Sequence, residues 1–200
     1  GTKTKGVEGV AKSKESVLEC TNGAINTIKA LSPDFSFFQE VDTNSTRSHH
    51  VNQYSMIQSE FGSYGSSNAV NFHSAFLFYP LTAPHGTSNS SIVTFSKYQI
   101  KNGVRRSFPV DNSFPNKFFD LDRCFAVYRL KVANSQRELV LVNLHMSAYD
   151  EGGKIRAKQL EMLTSFLKIE NQKGNYVIAG GDWNHDIADS ATYFKSQQKK

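Results

Sequence analysis

Three short apolar runs in this chain end in the same way. Phe35-Ser36-Phe37-Phe38 leads into Gln39 and Glu40, Leu139–Val142 into Asn143 and His145, and Tyr176–Ala179 through Gly180-Gly181 into Asp182 and Asn184. Runs of this length suit buried strands and are too short for helices. A strand that is apolar along its core and polar at its last residues must leave the interior there, so each run presents its polar groups at the edge of a sheet. If the three share one sheet polarity, those groups converge on a single edge.

The rest of the chain supplies what such strands need to be covered. Ser13 is an N-cap candidate, and Val17, Thr21, Ala24, Ile28 and Leu31 fall on one face of a helix that Pro33 stops. A second amphipathic stretch over about Arg47–Phe61 predicts a helix, and Gly62–Asn71 reads as turn-rich loop. Strands are expected over Ser74–Tyr79, Ser91–Phe95 and Val104–Pro109. Cys124–Val132, a turn at Ala133–Gln136 and Glu138–His145 form a hairpin, and Gly152–Ile169 is amphipathic through Ile155, Leu160, Leu163 and Leu167. Helix and strand pairs at both ends, with hairpin-like strands between, predict a mixed sheet sandwich covered by helices in one domain, 1–200. Residues 1–12 read as loop and 190–200 as tail.

Composition excludes some classes. The hydrophobic fraction is 38%, with 15 Phe and 8 Tyr, which is enough to build a core and argues against disorder. No apolar run approaches the roughly 18 residues of a membrane span. The formal charge of +5 favours anionic substrates, although lysines near both ends supply part of it as solvated charge. Cys20 and Cys124 have no metal-site spacing, and their placement on a helix and a strand start predicts that they are not bonded to each other.

The chemistry rests on the three strand ends. A hard divalent cation takes oxygen ligands, commonly one or two carboxylates with water and phosphate oxygens, and Glu40 is such a ligand. Asp182 and Asn184, two apart on extended chain, point the same way and can face one reacting phosphate. His145 can donate to a phosphate oxygen as charge develops, and Asn143 is a candidate substrate-binding residue. Each element alone has a bland reading. A Gln-Glu at a strand end is usually a solvated boundary, Gly-Gly-Asp-Trp-Asn is usually an Asx turn, and a single histidine is more often structural than catalytic. Order and context lift them above it.

Phe37-Phe38-Gln39-Glu40-Val41-Asp42 resembles the Leu-Gln-Glu-Val-Asp motif of the endonuclease/exonuclease/phosphatase superfamily. Ser91–Ile100 is similar to its Leu-Ser-Arg/Lys-Tyr-Pro-Ile strand, and Val142–His145, Arg156-x-x-Gln159-Leu160 and Gly181–Asn184 follow its later signatures in order. The resemblance implies an α/β fold, a four-layer α/β/β/α sandwich of two mixed sheets flanked by helices, truncated here at both ends. It implies a Mg²⁺-dependent phosphoesterase, with Mn²⁺ or Ca²⁺ as alternatives. Glu40 would be the metal ligand, Asp182 would orient or deprotonate the attacking water, Asn184 would fix phosphate and metal, and His145 would bind or protonate the phosphate. Arg156 and Gln159 would tie helix to sheet, and Trp183 would pack beneath its turn.

Two of the superfamily's pieces are absent from these 200 residues: an opening strand with an Asn ligand and a closing Ser-Asp-His strand. A catalytically dead binding module is therefore the alternative of another class. Within the superfamily, His145-Met146-Ser147-Ala148 stands where abasic-site enzymes carry Tyr-x-Pro-Asn. The histidine form is similar to deoxyribonuclease I, sphingomyelinases and inositol-polyphosphate phosphatases. The partner implied is a phosphodiester, in nucleic acid or a phospholipid head group, with no obligate protein partner. Lys101, Arg105, Arg106 and Lys117 are candidates for a nucleic-acid stripe. Phe108, Phe114, Phe118 and Phe119 are candidates for a lipid-facing loop, or core.

Overall fold

The computed structural model describes residues 10–62, 64–77, 86–110, 123–148 and 150–185. Helix α1 (Lys14–Leu31) begins at a reciprocal cap, in which the Ser13 hydroxyl accepts the Ser16 amide and the Ser16 hydroxyl accepts the Ser13 amide, each at 3.2 Å. It ends at Ser32, whose left-handed backbone (φ 45°) turns the chain ahead of Pro33. The helix expected over Arg47–Phe61 is broken. A short 3-10 turn at Thr46–Ser48 ends in two consecutive left-handed residues, His49 and His50 (φ 50° and 58°). Helix α2 (Gln53–Glu60) then restarts where the Asn52 side chain accepts the Ser55 amide at 2.9 Å.

The strands form two sheets. One has the order β1 (Phe35–Asp42), β3 (Gly86–Ser96), β2 (Gly65–Leu77). The other has the order β4 (Lys101–Ser107), β5 (Cys124–Lys131), β6 (Glu138–His145), β7 (Tyr176–Asp182). The described part of the first sheet is antiparallel throughout; the second is mixed, since helix α3 (Lys154–Gln172) carries the chain from β6 to a parallel β7. The serine-rich segment expected as loop at 62–71 is strand from Gly65, because pairing with β3 satisfies its backbone whatever its side chains are. β3 likewise starts at Gly86 rather than Ser91. Residues 78–79 of the strand expected over Ser74–Tyr79 lie outside the described residues.

Side-chain alternation sorts the core into three layers, which is what makes the sandwich four layers deep. Ile25 of α1 and Ile57 of α2 pack with Phe61 on Val41, Val93 and Phe95, the outer face of the first sheet. Ile92, Cys124, Ala126, Tyr128, Leu130 and Leu141 fill the space between the sheets, with Phe35 and Phe37 of β1 against them. Phe125, Val127, Val140, Val142 and Leu144 face the other way, onto Leu163 and Phe166 of α3. Phe108 joins this last layer at 4% exposure, so it is core and not a lipid-facing residue; Phe114, Phe118 and Phe119 lie outside the described residues. Arg106 stacks over Phe166 while Arg105 bonds Ser107, so adjacent arginines of β4 point apart and form no single stripe; Lys117 is outside the described residues. Cys20 and Cys124 are both free thiols.

At the end of the sandwich away from the polar strand ends, the buried Glu170 carboxylate accepts from Arg129 at 2.7 and 3.0 Å, from Asn175 at 2.8 Å and from Lys173 at 3.0 Å. The Arg129 bonds above all hold it down to about 2, against the cost of burial.

Candidate active site

The register of β5, β6 and β7 places Cys124, His145 and Asp182 in one row across the sheet. Cross-strand partners share a face, and Cys124 faces the other sheet, so His145 and Asp182 do too. His145 Nε2 lies 3.7 Å from Asp182 Oδ2. The histidine side chain is 2% exposed and the aspartate 45%, so the carboxylate is the member of the pair open to solvent.

The turn after β7 is locked by its own groups. Asp182 Oδ1 accepts the Asn184 amide at 2.9 Å, and the Asn184 side chain donates to the Met146 carbonyl at 2.8 Å. Asn184 takes a left-handed backbone (φ 46°) to do this. Gly181 is required before it: its φ is 141°, and a Cβ there would meet the Leu144 carbonyl oxygen at 2.1 Å. Trp183 turns the opposite way and packs on the α3 layer.

Glu40 reaches the same end of the sandwich from β1. The strand bulges between Phe38 and Val41, and Glu40 sits in the bulge at φ 55°. The bulge turns its carboxylate outward, 53% exposed, into a cavity of about 420 Å³ that Asp42, Arg47 and Gln53 also line. Arg47 is the partner of both acids: it donates to the buried Asp42 carboxylate at 2.9 Å through Nε and through Nη2, and its Nη1 lies 3.5 Å from Glu40. Burial opposes the Arg47 charge, but the Asp42 bonds and then the charges of Asp42 and Glu40 outweigh it, and the guanidinium is held above its ordinary range.

Asn143 lies inside the protein. It is 0% exposed, accepts from Gln39 Nε2 at 2.7 Å, and donates to the Val93 carbonyl at 3.0 Å and Thr94 Oγ1 at 3.2 Å. Both of its N–H groups are spent inside the protein, so it ties the sheets together and sets Gln39, and with it Glu40, against β6. Gly180 allows this approach, since a Cβ there would meet the Phe37 ring at 3.2 Å. Arg156 and Gln159 are structural, with Gln159 donating to Ser147 Oγ and to the Pro109 carbonyl, both at 2.7 Å.

Sequence reasoning missed Arg123. It is 8% exposed, directly precedes β5, and donates from Nη1 to His145 Nε2 at 2.5 Å. Burial first, then the Arg123 charge, push the imidazole down to about 4; Asp182 opposes this and Arg47 adds to it. The His145–Asp182 contact is therefore between a neutral ring and a carboxylate at physiological pH. Nothing in the sequence distinguishes Arg123 from a solvated arginine; only the register with β6 does. Arg47 likewise carries no sequence signal beyond a helix start.

No family model matches the chain, and no curated protein matches it. Solved structures do. The human Nocturnin catalytic domain with bound sulfate superposes with a TM-score of 0.59 at 17% identity, over 90% of this chain and 62% of that one. D. rerio TDP2 complexed with single-strand DNA product gives 0.60 at 16%, over 93% and 61%. An endonuclease/exonuclease/phosphatase protein from Beutenbergia cavernae gives 0.54 at 18%, over 72% and 38%. The chain has the endonuclease/exonuclease/phosphatase fold. It spans between 38% and 62% of the length of these three structures. Among the described residues no group of three or more His, Cys, Asp or Glu side chains is placed to share a metal ion.

Proposed function

We propose that this protein is a divalent-metal-dependent phosphoesterase that cleaves phosphodiester bonds in nucleic acid, with Glu40 as metal ligand and Asp182, His145 and Asn184 at the reacting phosphate. The observation that carries the reading is the meeting of His145 and Asp182 at 3.7 Å, at the strand ends of a fold whose Glu40 carboxylate is turned out by a bulge. A half-exposed carboxylate fits Mg²⁺, which keeps several waters and takes one or two carboxylates plus substrate phosphate oxygens. When bound, such an ion would neutralise charge developing on the phosphate.

The chain's own groups divide the remaining work. Asp182 has Oδ1 committed to the Asn184 amide and Oδ2 on a half-exposed carboxylate 3.7 Å from His145, so Oδ2 is the lone-pair site that orients an attacking water and takes its proton. Among the described residues, Asn184 has its side-chain oxygen and one N–H left for the phosphate or its cation. His145 and Arg123 form the buried wall behind the reacting group, where the guanidinium supplies fixed positive charge.

Nucleic acid is favoured as the substrate because the D. rerio TDP2 structure of this fold is a complex with single-strand DNA product, and the +5 charge suits a polyanion. The test is hydrolysis of a single-stranded oligonucleotide, sphingomyelin and an inositol polyphosphate by the protein, with Mg²⁺ and with excess chelator. Cleavage of the oligonucleotide, abolished by chelator, is the expected result. Cleavage of none by a chain that circular dichroism shows to be folded would replace this reading with that of a binding module.

A further inference from the structure

Cys124 and His145 are register partners, so Arg123, one residue earlier, lies diagonally across from the histidine ring. A guanidinium has only donors, and the atom it approaches is Nε2. An imidazole that accepts at Nε2 and is uncharged carries its proton on Nδ1. Among the described residues, Asp182 at 3.7 Å and Arg47 also act on the ring by their charge. Left alone with His145, the Asp182 carboxylate would draw a proton onto Nε2 and favour the imidazolium. The donor at 2.5 Å occupies the lone pair that proton would need.

We propose that Arg123 is a positioning residue that sets the tautomer of His145 and keeps the ring uncharged, so that the fixed positive charge of the site belongs to arginine and not to histidine. For its bearing on catalysis this rests on the reading of His145 as a site residue; the protonation state itself does not. The consequence is a division of labour. The ring has no imidazolium proton to give at neutral pH, and Asp182 is left as the group that accepts a proton.

The test is nitrogen NMR of the protein labelled with ¹⁵N-histidine, with His145 assigned by its loss in His145→Gln, recorded across a pH titration without substrate. Wild-type protein is expected to show the Nδ1–H tautomer and to protonate near pH 4. Arg123→Gln should move the proton to Nε2, facing Asp182, and raise the midpoint so that the imidazolium is populated at least tenfold more at a given acidic pH. Arg123→Lys, which keeps the charge but loses the planar fork, should shift the midpoint less. An Nε2–H ring or an imidazolium in wild-type protein at neutral pH would overturn the proposal whether or not the variants fold. So would an unchanged tautomer and midpoint in folded Arg123→Gln. Because no substrate is present, failure here is separable from failure of the phosphoesterase reading, which the hydrolysis assays decide.

Discussion

His145 and Asp182 are partners across two parallel strands, meeting at 3.7 Å although the whole of α3 separates them in the chain. A parallel pair needs such a crossover, and the crossover helix buries the opposite face of the same strands through Leu163 and Phe166. One supersecondary unit therefore both closes the core and brings the pair together, which ties the geometry of the site to the stability of the sheet.

Asn143 is where that tie can be tested. Asn143→Leu keeps the branching at Cγ but leaves the Gln39 amide without its acceptor and the Val93 carbonyl without the side-chain donor. An unsatisfied buried polar group costs about 1–3 kcal/mol, so a loss of about 3 kcal/mol is expected for the pair. Urea unfolding checks it, with a lower midpoint and an unchanged slope. A midpoint equal to wild type would show that Asn143 ties nothing.

Glu40 should act through the cation and not through the fold. Its carboxylate is half exposed and its ion partner is 3.5 Å away, so Glu40→Gln should leave the thermal midpoint nearly unchanged. Isothermal titration with Mg²⁺ should show affinity weakened by about tenfold or more, equivalent to about 1.4 kcal/mol. Raising Mg²⁺ should then restore part of the rate. An unchanged Mg²⁺ affinity would remove Glu40 from the metal site.

Stability should fall with acid in two successive, slightly overlapping windows. The folded His145 value of about 4 lies below its ordinary 6.5, so the unfolded chain binds the extra proton between them. Its contribution is complete above pH 6.5 and is lost as pH falls toward 4. Glu170, held at about 2 against 4.5, contributes fully above pH 4.5 and loses that as pH falls toward 2. Each is worth at most about 3 kcal/mol at 1.36 kcal/mol per unit. Denaturant midpoints measured from pH 7.5 to 2 check this: His145→Gln should flatten the upper window alone, and Glu170→Gln the lower.

Much of this was legible in the residues. The apolar run Leu139–Val142 ending in Asn143 and His145 reads as a buried strand because the tertiary packing that buries Val140, Leu141 and Val142 is what its composition already demands. The Ser13 cap and the Pro33 stop mark α1 because capping is local chemistry. Gly65–Val70 was opaque, since its strand state comes from backbone pairing with β3, which serine side chains do not announce. The bulge that turns Glu40 outward and the approach of Arg123 to His145 were opaque for a related reason. The bulge depends on the register of β1 with β3, far apart in sequence, and the Arg123 approach on the residue-by-residue register of the β5–β6 hairpin; at Asn143, a buried tie and a substrate ligand use the same side chain.

The most direct test is the single-turnover hydrolysis rate of a single-stranded oligonucleotide by wild-type protein and by Asp182→Asn, at saturating Mg²⁺, with thermal melts as the folding control. The amide keeps the shape and can still accept the Asn184 N–H, but it cannot take up a proton. The expected result is a rate lower by about 10³-fold or more, roughly 4 kcal/mol in the barrier, in a variant that melts like wild type and is not rescued by further Mg²⁺. Wild-type turnover in Asp182→Asn would contradict the assignment of the proton-accepting carboxylate.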